Sequence, residues 1–182
     1  MDMASIGGET AVLLYDNQLV KDVADFYKLQ KFMLLPLDRM AEKSAQNIID
    51  AIEESKKIPF EKVLYAIGIR HVGETVAKKL AKRFHSMDNL MNSSVEELAT
   101  TEDIGEKIAL SIQEFFAKEK NQDLIRRLKE AGLQMEIGEE SKPTSNVLEG
   151  KTFLFTGTLT KFTRDEAQKL VEQNGGKNIS AV

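Results

Sequence analysis

Apolar and small residues recur along the first 120 positions with a fixed phase. Four segments share the pattern x-apolar-small-x-x-x-Ala: Ser5-Ile6-Gly7-Gly8-Glu9-Thr10-Ala11, Arg39-Met40-Ala41-Glu42-Lys43-Ser44-Ala45, His71-Val72-Gly73-Glu74-Thr75-Val76-Ala77 and Asp103-Ile104-Gly105-Glu106-Lys107-Ile108-Ala109. The small residues are spaced 34, 32 and 32 apart. Seven positions after each stands Leu14, Ile48, Leu80 or Ile112, and four before each stands Met3, Leu37, Ile69 or Thr101. A wider repeat overlies this one: Val23 through Leu34 to Ala41 matches Met87 through Leu98 to Gly105 at a constant offset of 64. The pattern predicts four helical hairpins in two pairs, each pair joined internally by a short connecting helix.

One unit follows from elementary physics. The apolar residue before the small one plugs a turn into the core. The small residue lets the chain turn sharply, and Gly also permits positive φ. A helix then starts, with its Ala and aliphatic residue on one buried face. Glu42, Glu74 and Glu106 fall in first turns, where the helix dipole favours acids. The pattern resembles the helix-hairpin-helix motif, whose usual form is Gly-apolar-Gly-x-Lys-x-Ala. The first Gly is replaced here by Ser5, Arg39, His71 and Asp103, and the second by Ala41 in one unit. The motif Lys survives as Lys43 and Lys107, with Glu9 and Thr75 elsewhere. A spacing of 34 also fits tetratricopeptide solenoids that bind proteins, but their Trp-Leu-Gly-Tyr-Ala-Phe-Pro pattern is missing.

The chemistry implied is phosphate binding. A helix N-terminus carries N–H groups without intrahelical partners, and aimed outward these hold an anion with help from the dipole. The expected DNA contacts are therefore Ser5, Ile6, Gly7 and Gly8; Arg39, Met40, Ala41 and Lys43; His71, Val72, Gly73 and Thr75; Asp103, Ile104, Gly105 and Lys107. The cluster Lys78, Lys79, Lys82 and Arg83 is a further candidate for the backbone, or else a solvated helix face. Such contacts read no base and fix position on a duplex regardless of sequence.

Charge sharpens this picture. The 182 residues carry a net charge of −4, so bulk positive charge does not attract the partner and local geometry must. The chain has no Cys, which excludes disulfides, a thiolate zinc site and a Cys nucleophile. His71 and His85 lie in no cluster of metal-ligating residues, so no metal is expected. No apolar run approaches a membrane span and no secretory signal is visible, so a soluble intracellular protein without membrane contact is expected.

Beyond the repeats, residues 118–137 continue as an amphipathic helix with Leu124, Ile125 and Leu128 inward, closed by Ala131-Gly132. Residues 138–148 read as a polar linker. Lys151–Thr156 reads as a buried strand, Thr163 as the cap of a helix running to Asn174, and Asn178–Val182 as the start of a second strand parallel to the first. Gly150-Lys151, Phe155-Thr156-Gly157, Thr163-Arg164 and Gly175-Gly176 resemble the opening of a BRCT domain. That resemblance implies an incomplete domain over 149–182, with Thr156 and Gly157 where some BRCT domains hold a phosphate. The expected whole is mainly α, four hairpin motifs in two pairs over 1–137, followed by an incomplete α/β BRCT segment.

This order of parts resembles the C-terminal region of bacterial NAD-dependent DNA ligases. The likeness is tightest at Leu37–Asn47, Gly68–Glu74 and Phe155–Leu159. It implies a cytoplasmic, nucleoid-associated module that holds nicked double-stranded DNA by its phosphates during replication and repair, beside other domains of the same ligase. NAD, magnesium and zinc are implied for the full-length enzyme and none for this segment. The family's Lys-x-Asp-Gly adenylation motif and four-Cys zinc finger are absent, so the segment alone is expected to be inactive. The alternatives are a DNA-binding module of another repair protein, of nucleotide-excision type, or a helical protein-interaction scaffold.

Overall fold

The computed structural model describes residue 3 and residues 6–138, 145–157, 159 and 161–179, with residue 165 as backbone only. The chain divides into two units, Met1–Glu136 and Ile137–Val182.

The first unit is helical. It contains α1 (Gly8–Asp16), a 3-10 helix (Val23–Lys28), α2 (Lys31–Leu34), α3 (Glu42–Ser55), α4 (Phe60–Ala66), α5 (Glu74–Phe84), α6 (Met87–Met91), α7 (Val95–Ala99), α8 (Glu106–Phe116) and α9 (Glu119–Glu130). The 64-residue offset carries the start of the 3-10 helix onto that of α6, α2 onto α7, and α3 onto α8. Both connecting helices therefore exist, the first as a 3-10 helix closed by a reciprocal capping box between Asp22 and Asp25.

The repeat is written in the core. Leu14, Ile48, Leu80 and Ile112 are each at most 3% exposed, and Ala45, Ala77 and Ala109 are fully buried. Burial of one such aliphatic side chain stabilises by about 1.5–3 kcal/mol. The alanines let neighbouring helices approach, as α4 does α5 and α7 does α8. Val72 and Ile104, the expected plugs, are buried, whereas Ile6 and Met40 are half-buried. The second pair is the better packed at its turns.

The helix α9 closes the unit as expected, with Ile125 and Leu128 buried and Leu124 half-buried. Its Arg127 spans the unit to the 3-10 helix. Nη2 donates to Asp22 Oδ2 at 2.5 Å, Nη1 to Asp25 Oδ1 at 3.2 Å, and Nε to Asp123 Oδ2 at 2.8 Å. Only 16% of this side chain is exposed. The guanidinium holds the Asp22 carboxyl below its ordinary pKa, against the opposing effect of burial. A hydrogen bond between Tyr27 Oη and Ser55 Oγ, 2.9 Å, fastens the same 3-10 helix to α3.

The second unit has β1 (Thr152–Phe153), α10 (Arg164–Gln173) and β2 (Lys177–Asn178). The strands pair in parallel, Thr152 with Lys177 and Phe153 with Asn178, as the strand–helix–strand reading requires. The first strand is shorter than the expected Lys151–Thr156, because only two rungs of β2 are available to it among the described residues. Thr163 caps α10 in a capping box with Glu166. The expected linker over 138–148 gives way, from Ser145 on, to a turn hydrogen-bonded to the end of α10: Ser145 N–H donates to Gln173 O and Leu148 N–H to Asn174 O. A Cβ at Gly176 would stand 2.6 Å from Val171 Cγ1 and 3.2 Å from both Leu148 and Phe153, so the crossing from helix to strand requires glycine there.

The Arg127 junction has a pH signature. Because the pKa of Asp22 is lowered on folding, its contribution is complete above its ordinary value near 3.8 and fades as pH falls below it. Replacing Arg127 by Met is expected to cost roughly 1–3 kcal/mol at neutral pH, less than for a fully buried pair because the site is partly open to water. Thermal melts of both proteins should show a gap that narrows in acid below pH 3.8. A gap independent of pH would mean that packing, not charge, holds this junction.

Candidate nucleic-acid interface

Four tight turns precede α1, α3, α5 and α8. In each, the plug N–H donates back three residues: Ile6 to Met3 O at 2.8 Å, Met40 to Leu37 O at 3.2 Å, Val72 to Ile69 O at 3.0 Å and Ile104 to Thr101 O at 3.0 Å. The third residue of the turn is left-handed, with φ of 58° at Arg39, 67° at His71 and 64° at Asp103. A turn of this hand needs positive φ at that place, which L-residues adopt at a cost. Ser5 occupies the matching place in the first turn and lies outside the described residues.

The residue that follows the plug is the helix N-cap. Its φ and ψ are −77° and 172° at Gly7, −79° and 160° at Ala41, −80° and 177° at Gly73, and −77° and 169° at Gly105. The positive φ that Gly permits is not used here: the backbone is extended, a conformation open to any residue, and Ala41 adopts it. A Cβ at Gly73 or Gly105 would meet nothing within 4 Å, so an added Cβ there does not distort the turn. The left-handed position lies two residues earlier, where this chain carries Arg, His and Asp.

None of these four helices receives a side-chain cap. Ser86, Ser94 and Thr163 cap α6, α7 and α10, while α2, α4 and α9 also start without a side-chain cap. The N-cap carbonyl is used, since Ala11, Ala45, Ala77 and Ala109 donate to Gly7, Ala41, Gly73 and Gly105 at 2.9–3.1 Å. In α8 the N–H of Ile108 also reaches Gly105 O, at 3.0 Å. The first N–H groups of a helix, before those that reach the cap, have no partner within the helix. Gly7, Gly8, Ala41, Gly73, Thr75 and Gly105 are exposed, as are Lys43 and Lys107.

The hairpins meet within their pairs. Glu9, Thr10 and Leu13 of α1 line one cleft with Asp38, Arg39 and Met40 of the second turn and with Ser44, Asn47 and Ile48 of α3. In the other pair, Lys79 of α5 hydrogen-bonds Asp103 of the fourth turn and lies 3.7 Å from Glu102. The Asp103 carboxylate raises the pKa of Lys79 above its ordinary value. Of the basic cluster, Lys78, Lys82 and Arg83 are exposed, and the Arg83 guanidinium stands 6.0 Å from the Phe84 ring centre. His85 ends α5 in a left-handed C-cap, φ 65°. Sequence reasoning did not single out Arg70, exposed beside His71, or Thr10, Ser44 and Asn47 in the cleft, because none occupies a motif position. Thr156 and Gly157 belong to the other unit. Thr156 is exposed, Gly157 is left-handed at φ 77°, and Arg164 Nη2 donates to its carbonyl at 3.3 Å.

Known proteins place these features. A family described as "Helix-hairpin-helix motif" matches residues 62–125, the second hairpin pair, and one described as "BRCA1 C Terminus (BRCT) domain" matches residues 143–182. Over its full length the chain is 53% identical to a DNA ligase of Christiangramia forsetii, of which it covers 28%. It is 49% identical over its full length to a DNA ligase of Flavobacterium psychrophilum, covering 28% of it, and 47% identical over its full length to one of Koribacter versatilis, covering 27%. Over its whole length the chain is similar to a segment of these DNA ligases. It spans little more than a quarter of the length of these relatives. The chain is mainly helical, with helix-hairpin-helix motifs followed by the start of a BRCT domain.

The left-handed positions make a stability test. His71→Gly and Arg39→Gly should each stabilise by about 0.5–1 kcal/mol, the left-handed cost removed less the entropy cost of glycine. His71→Val should destabilise, since a β-branched residue is worst in this region. Chemical denaturation with an unchanged m-value would report these differences. Equal stability for Gly and Val at position 71 would contradict the turn geometry.

Proposed function

We propose that the helical unit is a sequence-independent duplex-DNA-binding module of a bacterial NAD-dependent DNA ligase. The observation that carries this reading is the fourfold repetition of one turn followed by an uncapped helix start. Backbone N–H groups at such starts suit phosphate oxygens and no base edge. The DNA contacts proposed are those at the four turns, Ser5 to Gly8, Arg39 to Lys43, His71 to Thr75 and Asp103 to Lys107, with Lys43 and Lys107 adding side-chain cations. Lys78, Lys82 and Arg83 are proposed as further phosphate contacts.

The ligase names of the relatives support nick sealing as the activity of the parent enzyme. We propose that this segment holds the duplex around a nick while other domains of the ligase perform adenylation and strand joining, in the cytoplasm at the nucleoid. The donor set of this chain does not fit the cofactors of that chemistry. It has no Cys and no Lys-x-Asp-Gly, and among the described residues no group of three or more His, Cys, Asp or Glu is placed to hold a metal. We propose that NAD, magnesium and zinc act in the remainder of the enzyme. Among the described residues, no helix is long and apolar enough to cross a membrane.

Binding should weaken with salt but modestly, because neutral N–H donors displace few counterions. With roughly −0.9 per phosphate neutralised by a cation, a log–log slope of about −2 to −5 is expected. Lys107→Ala should make it shallower by about one unit. Titration of two unrelated duplexes at several salt concentrations checks both points. A strong preference for one sequence, or no dependence on salt, would point instead to a base reader or a protein scaffold.

A further inference from the structure

The 64-residue offset between the hairpin pairs reveals a reversal of charge at equivalent places. In the first pair the left-handed residue of the second turn is Arg39; in the second pair it is Asp103. Asp103, with Glu102 beside it, sets two carboxylates immediately before the uncapped start of α8. Negative charge there opposes the anion that the N–H groups attract. The compensating cation comes from the neighbouring hairpin. Lys79, in the second turn of α5, stands where the first pair has Leu13, counted from the N-caps Gly73 and Gly7, and reaches across to hydrogen-bond Asp103, with Glu102 3.7 Å away.

We infer that Lys79 neutralises the fourth hairpin tip, so that a DNA phosphate can approach α8, and is itself a positioning residue that does not contact DNA. The inference rests on the DNA-binding reading above. Two observations tie Lys79 to the tip. Its side chain is only 28% exposed, and its ammonium is already committed to a carboxylate that is 69% exposed. In the first pair Arg39 has its charge on the tip itself, 93% exposed and 3.9 Å from Asp38, and the apolar Leu13 stands at the Lys79 position. Each pair thus sets one cation against the acids of its second turn, Arg39 beside Asp38 and Lys79 beside Asp103 and Glu102. Loss of Lys79 leaves Asp103 facing phosphate, a like-charge juxtaposition that is costly wherever water is partly displaced.

A double-mutant cycle tests this on the 182-residue chain. Fluorescence anisotropy would measure the affinity for a short blunt duplex of wild type, Lys79→Ala, Asp103→Asn and the double variant, with circular dichroism confirming equal helix content. Asn accepts the left-handed conformation, so the turn survives the change. Lys79→Ala should weaken binding about tenfold and Asp103→Asn should strengthen it a few-fold, by the relief of like charge. In the Asp103→Asn background the loss from Lys79→Ala should shrink to roughly threefold or less, the remainder being Glu102. Lys79→Arg should retain wild-type affinity. The salt slope should be unchanged by Lys79→Ala, because the residue displaces no DNA counterion. An equal loss in both backgrounds, with a slope shallower by about 0.9, would make Lys79 an ordinary phosphate contact and overturn the inference. No loss in either background would also overturn it. Failure of the wild type to retain any duplex at low salt would instead remove the DNA reading on which the inference stands.

Discussion

A chain that must reverse between two packed helices within three residues has few ways to do so, and this one uses the same way at each hairpin. The plug N–H closes the turn, the residue before the plug goes left-handed at the three turns where it is described, and the residue after it is extended. Once those dihedrals are set, the next helix begins with nothing to cap it. The four N-caps agree within a few degrees in φ and within about 20° in ψ. Their similarity does not come from similar side chains, since Ala41 stands among three glycines. It comes from burying the plug on one side of the turn and Leu14, Ile48, Leu80 or Ile112 on the other. Packing thus holds the N–H groups in a state that costs stability until an anion satisfies them.

This arrangement explains how a chain with a net charge of −4 suits a polyanionic partner. The attraction is local and dipolar, and the side-chain charges adjust it place by place. The two pairs differ in that adjustment, with Arg39 at one tip and the Lys79–Asp103 pair at the other. Elsewhere charge serves the architecture. Arg127 joins α9 to the 3-10 helix over a separation of 105 residues, drawing the end of the unit onto its first hairpin pair. The acids of the 3-10 helix are thereby spent on structure.

Much of the fold was legible in the sequence because it repeats. The offset of 64 located the connecting helices, and the spacing from small residue to aliphatic residue located the core. Thr163 and the glycines after Asn174 marked the ends of α10. What escaped was whatever the repeat does not encode. The left-handed position was hidden because Arg, His and Asp occupy it, and glycine, the usual sign of positive φ, stands two residues later where it is not needed. The partners of Lys79 and Arg127 escaped because a tertiary ion pair leaves no periodic trace. Among the described residues the first strand is shorter than its composition suggested, since a strand extends only as far as its neighbour supplies rungs and β1 has two there.

The central claim is that backbone N–H groups at four uncapped helix starts meet the phosphates of duplex DNA. The most direct measurement is an amide-resolved NMR titration of the 15N-labelled chain with two duplexes of unrelated sequence. The account predicts that the largest shifts fall on Gly7–Glu9, Ala41–Lys43, Gly73–Thr75 and Gly105–Lys107, and that they are the same for both duplexes. Shifts concentrated along α9 or in the second unit, with these amides unmoved, would contradict it.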